Sequence, residues 1–309
     1  MTPKRNNNRF FKEASLMLEV IPAVAAESCF ALKGGTAINF FVRDMPRLSV
    51  DIDLTYLPIE DRTTSLAGIT TGLRAIATRV QKSNPSLQVQ EGKLKNTATV
   101  TKLYISNHEA QIKVEPNLVL RGTLFPTQKR KLSPKVEELF ERSASITTVS
   151  DADLYGGKIC AALDRQHPRD LFDVKVLLKN EGITDDIRKG FLIYLAGHDE
   201  TMSQLLEPSL KDIRREFDEE FSEMPSESVT LEDLLTARKA LIASLKATLT
   251  QDERKFLLSI KKGTPEWALL GVPGAERLPA IQWKLTNIRK MKSQHHEKSI
   301  ERLQAILKL

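Results

Sequence analysis

Between Asn8 and Phe30, apolar side chains return at helical spacing through Phe11, Ala14, Met17, Leu18, Ile21 and Val24. The pattern predicts one amphipathic helix over that stretch. A short apolar run, Phe30 to Lys33, passes into Gly34-Gly35. A second helix is expected from Thr36 to about Arg43, stopped near Pro46. From Leu48 to Leu54 the period drops to two, with Leu48, Val50, Ile52 and Leu54 on one side and Ser49, Asp51 and Asp53 on the other. Residues 62–80 suit another helix. Strands follow at Ser86 to Gln90, Thr97 to Ile105 and Gln111 to Asn117, the last two joined by a hairpin loop at Ser106-Asn107-His108-Glu109.

From Ser150 onward the pattern is helical almost throughout. Thr230-Leu-Glu-Asp233 and Thr250-Gln-Asp-Glu253 have the form of capping boxes. Between them Leu234, Leu235, Leu241, Ile242, Leu245 and Leu249 make an apolar stripe. The acidic stretch Glu216 to Ser228 contains Pro225 and reads as a loop or linker. The expectation is an α+β protein: a small mixed sheet with helices over residues 1–145, and a helical domain over 146–309 that completes the site.

Composition narrows the function classes. The 309 residues are 41% hydrophobic, enough for a core, and no run of about 18 apolar residues offers a membrane span. Met1 to Phe10 is basic and Asn-rich with no apolar stretch after it, so no signal peptide is expected. Cys29 and Cys160 make neither a disulfide framework nor a metal pattern, and a reducing cytoplasm is the default. Forty-six Lys and Arg against 40 Asp and Glu leave a net charge of +6, which permits a nucleic-acid partner without demanding one.

The chemistry concentrates around Asp51-Ile52-Asp53. A strand holds those two carboxylates on one side, where their repulsion calls for a cation; a hard divalent ion such as Mg²⁺ takes one or two carboxylates plus substrate phosphates. Upstream, Gly34-Gly35 lets backbone approach a phosphate closely, and Thr36 is placed to cap a helix whose positive end favours anions. Downstream, Lys113 and Glu115 share a strand face, so Glu115 is a candidate third carboxylate. The bland alternatives are a tight turn and a solvated strand face. Together the parts describe two-metal phosphoryl or nucleotidyl transfer, with Mg²⁺ as the ion.

Gly34-Gly35-Thr36, followed by Asp51-Ile52-Asp53 beginning fifteen positions after Thr36, resembles the active site of polymerase-beta-type nucleotidyltransferases. The longer string GGTAINFF…RLSVDIDL is similar to the AbiEii toxins of that superfamily. A second block, Asp153-Leu-Tyr-Gly-Gly-Lys158 through Arg165 to Pro168-Arg169-Asp170-Leu-Phe-Asp173, resembles the family's helical motif. Leu278 to Ile288 is similar more weakly. The resemblance covers roughly residues 30–180.

It implies Asp51 and Asp53 as catalytic Mg²⁺ ligands at a nucleoside triphosphate, with Gly34, Gly35, Thr36 and Ser49 binding the nucleotide. It adds Lys158 as a point charge on the triphosphate and Asp170 as general base or metal support; Arg169 and Asp173 are expected to be structural. Pro168 is expected to break the helix, so that Arg169-Asp170 opens the next one. The implied acceptor is RNA, most plausibly the 3′ end of tRNA, and the implied partner is an antitoxin encoded nearby. Two alternatives stay open: nucleotidylation of a protein or small molecule, and a nucleotide-binding module without turnover.

Candidate acceptor surfaces are basic. One is Arg121, Lys129, Arg130, Lys131 and Lys135; the other is Lys284, Arg289, Lys290, Lys292, Lys298, Arg302 and Lys308. Trp267 and Trp283 are expected to pack in the core, with base stacking the alternative. His295-His296 is not expected to bind metal.

Overall fold

The computed structural model describes residues 8–309; the basic, Asn-rich residues 1–7 lie outside them. The chain divides into two compact units. The first runs up to Ser150 and adds Glu220–Ser228; the second comprises Asp151–Glu219 and Val229–Leu309.

In the first unit, helix α1 (Arg9–Ala25) begins where the Asn8 side chain accepts the Phe10 N–H. It stops five residues before Phe30, because Phe30 opens β1 (Phe30–Lys33). The next helix starts at Gly34, not Thr36: α2 (Gly34–Thr36) continues as a π-helical turn over Ala37–Val42. Gly34 has φ +71°, a left-handed conformation open to a residue without Cβ, and so the chain turns into the helix two positions early. The acidic strand β2 is Ile52–Tyr56, and Leu48 to Asp51 form an irregular lead-in rather than a strand. Val50 is accordingly half-buried, while Ile52 is fully buried.

Helix α3 (Arg62–Ser83) is capped by Asp61. Strands β3 (Gln88–Lys93), β4 (Val100–Ser106) and β5 (Gln111–Pro116) form a meander. The Asn107 side chain accepts the Glu109 and Ala110 N–H groups in the β4–β5 loop, which fixes that hairpin. Two strands and a helix escaped the sequence pattern: β6 (Gln128–Lys131), α4 (Pro134–Phe140) and β7 (Ser145–Thr148). Both strands are four residues long, too short to show a period. Since β7 pairs in parallel with β1, residues 145–150 belong to the sheet unit rather than to the helical one.

The seven strands are ordered β3-β4-β5-β2-β1-β7-β6. β2 lies antiparallel to β1 and parallel to β5. Ile52, Leu54, Leu103, Ile105, Ile112 and Val114 bury one face; α1 packs on β5 and β7, and α3 on β3 and β4. The alternate positions, Lys33, Asp53, Lys102, Lys113 and Glu115, are half-buried on the other face.

The segment Glu220–Ser228 returns to this unit as a strap. Leu48 N–H bonds Met224 O at 2.9 Å, Ser226 N–H bonds Pro46 O at 2.8 Å, and Arg47 bridges Pro225. The acidic stretch expected as a linker is therefore helix α9 (Arg214–Glu220) followed by this strap.

The second unit is helical: α5 (Asp151–Asp164), α6 (Pro168–Lys179), α7 (Asp185–Ala196), α8 (Met202–Leu206), α10 (Leu231–Thr248), α11 (Gln251–Lys262), α12 (Pro279–Arg289) and α13 (Ser293–Leu307). Both expected capping boxes form, at Thr230 and Thr250, and a third stands at Thr201. Helices α5 and α7 meet at glycines. A Cβ on Gly156 would lie 2.6 Å from the Gly190 carbonyl carbon, and one on Gly190 would lie 2.4 Å from Ala152 O.

Trp267 tilts against Phe256 with ring centroids 5.6 Å apart. Trp283, expected in the core, is instead 56% exposed on α12 because Ala280, Ile281, Leu285 and Ile288 supply that helix's buried face. No helix among the described residues is long and apolar enough to cross a membrane.

Candidate active site

The acidic doublet is built against the glycine turn. A Cβ on Gly34 would sit 2.5 Å from Asp53 Oδ2, so the carboxylate occupies space that a side chain there would need. A Cβ on Gly35 would meet Arg47 Nη2 at 2.6 Å and Ser49 Oγ at 3.1 Å. Thr36 does not cap the helix. Its hydroxyl lies 2.9 Å from Ser49 Oγ and donates to the Asp51 carbonyl at 2.5 Å. That bond ties the first helical turn to the lead-in of β2. Asn39 Nδ2 donates to Gly35 O at 2.9 Å and fixes the turn from the helix side. Gly34, Gly35, Thr36, Ser49, Asp51 and Asp53 are thus brought together within one unit.

Sequence reasoning gave no role to Arg47. It is 2% exposed, donates to Leu48 O at 2.8 Å, and lies against Gly35. The signal was its place at the head of the string RLSVDIDL; its placement depends on the strap.

Glu115 stands beside Asp53 in the parallel β2–β5 register. Its oxygens are engaged by Lys102 Nζ at 2.9 Å and Lys113 Nζ at 2.6 Å. Burial alone would raise the Glu115 carboxyl, but the two ammonium groups outweigh that and hold it below the usual carboxylate range. Burial would lower Lys113, yet Glu115 and then Asp51 and Asp53 keep it above the ordinary lysine value.

Among the described residues, no three His, Cys, Asp or Glu side chains converge as a metal site. The donors available are two half-buried carboxylates, Asp51 and Asp53. That set fits Mg²⁺, which takes one or two carboxylates and fills its remaining positions with water and substrate phosphate.

The helical motif forms a separate buried cluster in the second unit. Lys158 Nζ on α5 bonds Asp170 Oδ1 at 2.7 Å and Asp173 Oδ2 at 2.9 Å on α6. Arg165 Nη2 bonds Asp170 Oδ2 at 2.8 Å. The Lys158, Asp170 and Asp173 side chains are 7, 3 and 0% exposed, whereas that of Arg165 is 64% exposed. Pro168 breaks the helix as its sequence position suggests: His167 caps α6 and Asp170 stands in its first turn. Burial by itself would raise the Asp170 carboxyl, but Lys158 and Arg165 overcome that and hold it well below the usual range.

Several basic candidates have other duties. Lys284 donates to His198 O at 2.6 Å and Glu200 O at 3.0 Å, just past the end of α7. Arg121 is buried. His296 Nε2 bonds Lys261 O at 2.6 Å. Lys129 and Lys131 stay exposed on the edge strand β6, as do Arg289, Lys290, Lys292, Lys298, Arg302 and Lys308 at the C-terminus.

The family described as nucleotidyl transferase AbiEii toxin, type IV toxin–antitoxin system, matches residues 15–287. Among solved structures, the chain is similar to MenT4, a nucleotidyltransferase toxin from Mycobacterium tuberculosis H37Rv. The TM-score is 0.59 at 12% identity, over 91% of this chain and 93% of that one, a likeness of fold. No curated protein sequence matches the chain.

Proposed function

This chain belongs to the AbiEii family of nucleotidyltransferase toxins of type IV toxin–antitoxin systems, and on that premise we propose that it transfers a nucleotide from a nucleoside triphosphate to RNA, with the 3′ end of tRNA as acceptor. The observation that carries this reading is the contact between Gly34 and the Asp53 carboxylate, with Ser49 and Thr36 joined beside it. A turn without side chains lets an acid, a guanidinium and a hydroxyl crowd onto one stretch of backbone, a donor set suited to a triphosphate and its cation.

Asp51 and Asp53 hold Mg²⁺, which when bound neutralises charge on the triphosphate. The chain's own residues do the positioning. Gly34 and Gly35 let the Asp53 carboxylate and the Arg47 guanidinium sit close against the turn, Ser49 offers a hydroxyl to a phosphate oxygen, and Thr36 holds the Asp51 backbone in place. The family resemblance supports Lys158 as the cation for triphosphate oxygens. Asp170 has its two oxygens paired to cations and its carboxyl held low, which makes it a poor proton acceptor. It serves by orienting Lys158 and Arg165. Lys129 and Lys131 on β6 and the exposed C-terminal cations around Trp283 support an RNA acceptor, by phosphate neutralisation and by stacking. The cognate antitoxin is the protein partner that the family implies.

The test is incubation of the purified protein with each labelled NTP, Mg²⁺ and total tRNA. Label is expected on RNA, and Asp51→Ala is expected to lower transfer by more than about a hundredfold, the scale of removing a group that stabilises transition-state charge. Label on protein with RNA unlabelled would replace the acceptor; turnover unchanged by Asp51→Ala would remove the reading.

A further inference from the structure

The charged face of the sheet carries a row that crosses four strands. Lys33 on β1 pairs in register with Asp53 on β2, and Asp53 with Glu115 on β5. The β4–β5 register, Leu103 opposite Val114, sets Lys102 opposite Glu115. Lys113, two residues before Glu115, stands level with Asp51. The row runs cation, anion, anion, cation, and Glu115 is the member whose carboxylate is spent on two lysines rather than turned to the acid doublet.

This arrangement has a direction. In the strand order β4-β5-β2-β1, the glycine turn follows β1 on one side of the acids, and the lysine pair lies on the other side, on β4 and β5. In-line displacement puts the attacking and leaving oxygens on opposite sides of the transferring phosphorus. With the triphosphate at the glycine turn, the acceptor enters over β5, where a cation pair meets an incoming phosphodiester. A third carboxylate free at that place would repel it.

We propose that Lys102 and Lys113, clamped by Glu115, form a seat for a backbone phosphate of the acceptor strand, and that Glu115 positions these lysines instead of ligating metal. The inference rests on the nucleotidyl-transfer reading above. It stands in place of the expectation of Glu115 as a third metal ligand for a geometric reason: that role would require breaking two ion pairs of 2.9 and 2.6 Å.

Three measurements on the full chain test it: Mn²⁺ binding by electron paramagnetic resonance, binding of a non-hydrolysable NTP analogue, and anisotropy of a labelled oligoribonucleotide with a free 3′ hydroxyl across a salt series. Glu115→Gln is expected to keep Mn²⁺ affinity within about twofold of wild type, whereas Asp53→Asn loses it, as the removal of a carboxylate ligand requires. The pair Lys102→Ala with Lys113→Ala is expected to weaken oligoribonucleotide binding about tenfold and lower the salt slope by about two. Analogue binding stays unchanged in that variant, and the corresponding arginine pair restores the RNA affinity. Lys82→Ala with Lys95→Ala, exposed lysines elsewhere on the same unit, gives the charge-matched baseline.

Loss of Mn²⁺ binding in Glu115→Gln would overturn the clamp. So would lysine variants that weaken the analogue but not the oligoribonucleotide, or that fall no further than the baseline pair. A wild-type protein that takes up neither Mn²⁺ nor the analogue would sink the parent reading together with this one.

Discussion

At the scale of single residues, two positions decide most. Gly34 combines a positive φ of 71° with a hydrogen where a Cβ would strike Asp53 Oδ2. Gly34→Ala is expected to displace the Asp53 carboxylate and cut transfer at least as far as Asp53→Ala, with a modest change in thermal stability; activity assays alongside a melting curve separate the two effects. Lys158 is a different case. Its removal leaves Asp170 and Asp173 buried without their shared cation, so Lys158→Ala is expected to cost about 3–5 kcal/mol in urea unfolding. The same cluster gives the molecule an acid limit. A carboxyl held low in the folded state contributes stability above the unfolded value of about 3.9 and loses it as pH falls further. Wild type is therefore expected to lose more stability between pH 6 and 3 than Asp170→Asn does. The acid doublet, glycines and helical motif were legible because each is contiguous in sequence. The duties of Arg47 and Glu115 were not, since the partners of one arrive from residue 224 onward and those of the other depend on strand register.

At the scale of elements, local chemistry explains which predictions held. Capping boxes at Thr230 and Thr250 were visible because both partners lie within four residues. What the sequence did not display is that Glu253 serves two elements: it accepts the Thr250 N–H at 2.9 Å and also binds Arg188 Nε on α7 at 2.8 Å. Arg188→Ala leaves that carboxylate buried and unpaired, and is expected to destabilise the second unit by about 3 kcal/mol, measured by denaturant titration. Thr250→Ala removes only a cap, at about 1 kcal/mol. The strand β2 was misjudged at its start for a physical reason. Alternation from Leu48 to Leu54 satisfies a strand's period, but the backbone of Leu48 is claimed by Met224 before it can pair in the sheet. Asp51 stays tied to the first helical turn nonetheless, because Thr36 holds it by its carbonyl, and both acids act on Lys113.

At the scale of the whole molecule, the α+β class followed from strands interleaved with helices in the first half and helices alone in the second. The first compact unit runs five residues past the expected boundary at 145, since β6 and β7 are too short to carry a period, and the return of Glu220–Ser228 is invisible to any reading that proceeds in chain order. A fragment ending at Ser150 is expected to aggregate on expression, since Leu48 N–H and the apolar bed of Phe11, Met45 and Leu139 lose their cover. Supplying residues 220–228 as a fusion is expected to restore a soluble, cooperatively melting sheet unit, checked by size-exclusion chromatography and calorimetry. The strap also couples synthesis to chemistry. Nine residues emerging from the ribosome after position 219 complete the bed under the lead-in to Asp51, so a partly made chain has the acids but not the brace beneath them. A chain cut short before position 220 is therefore expected to hold its acid doublet less firmly than the full chain does.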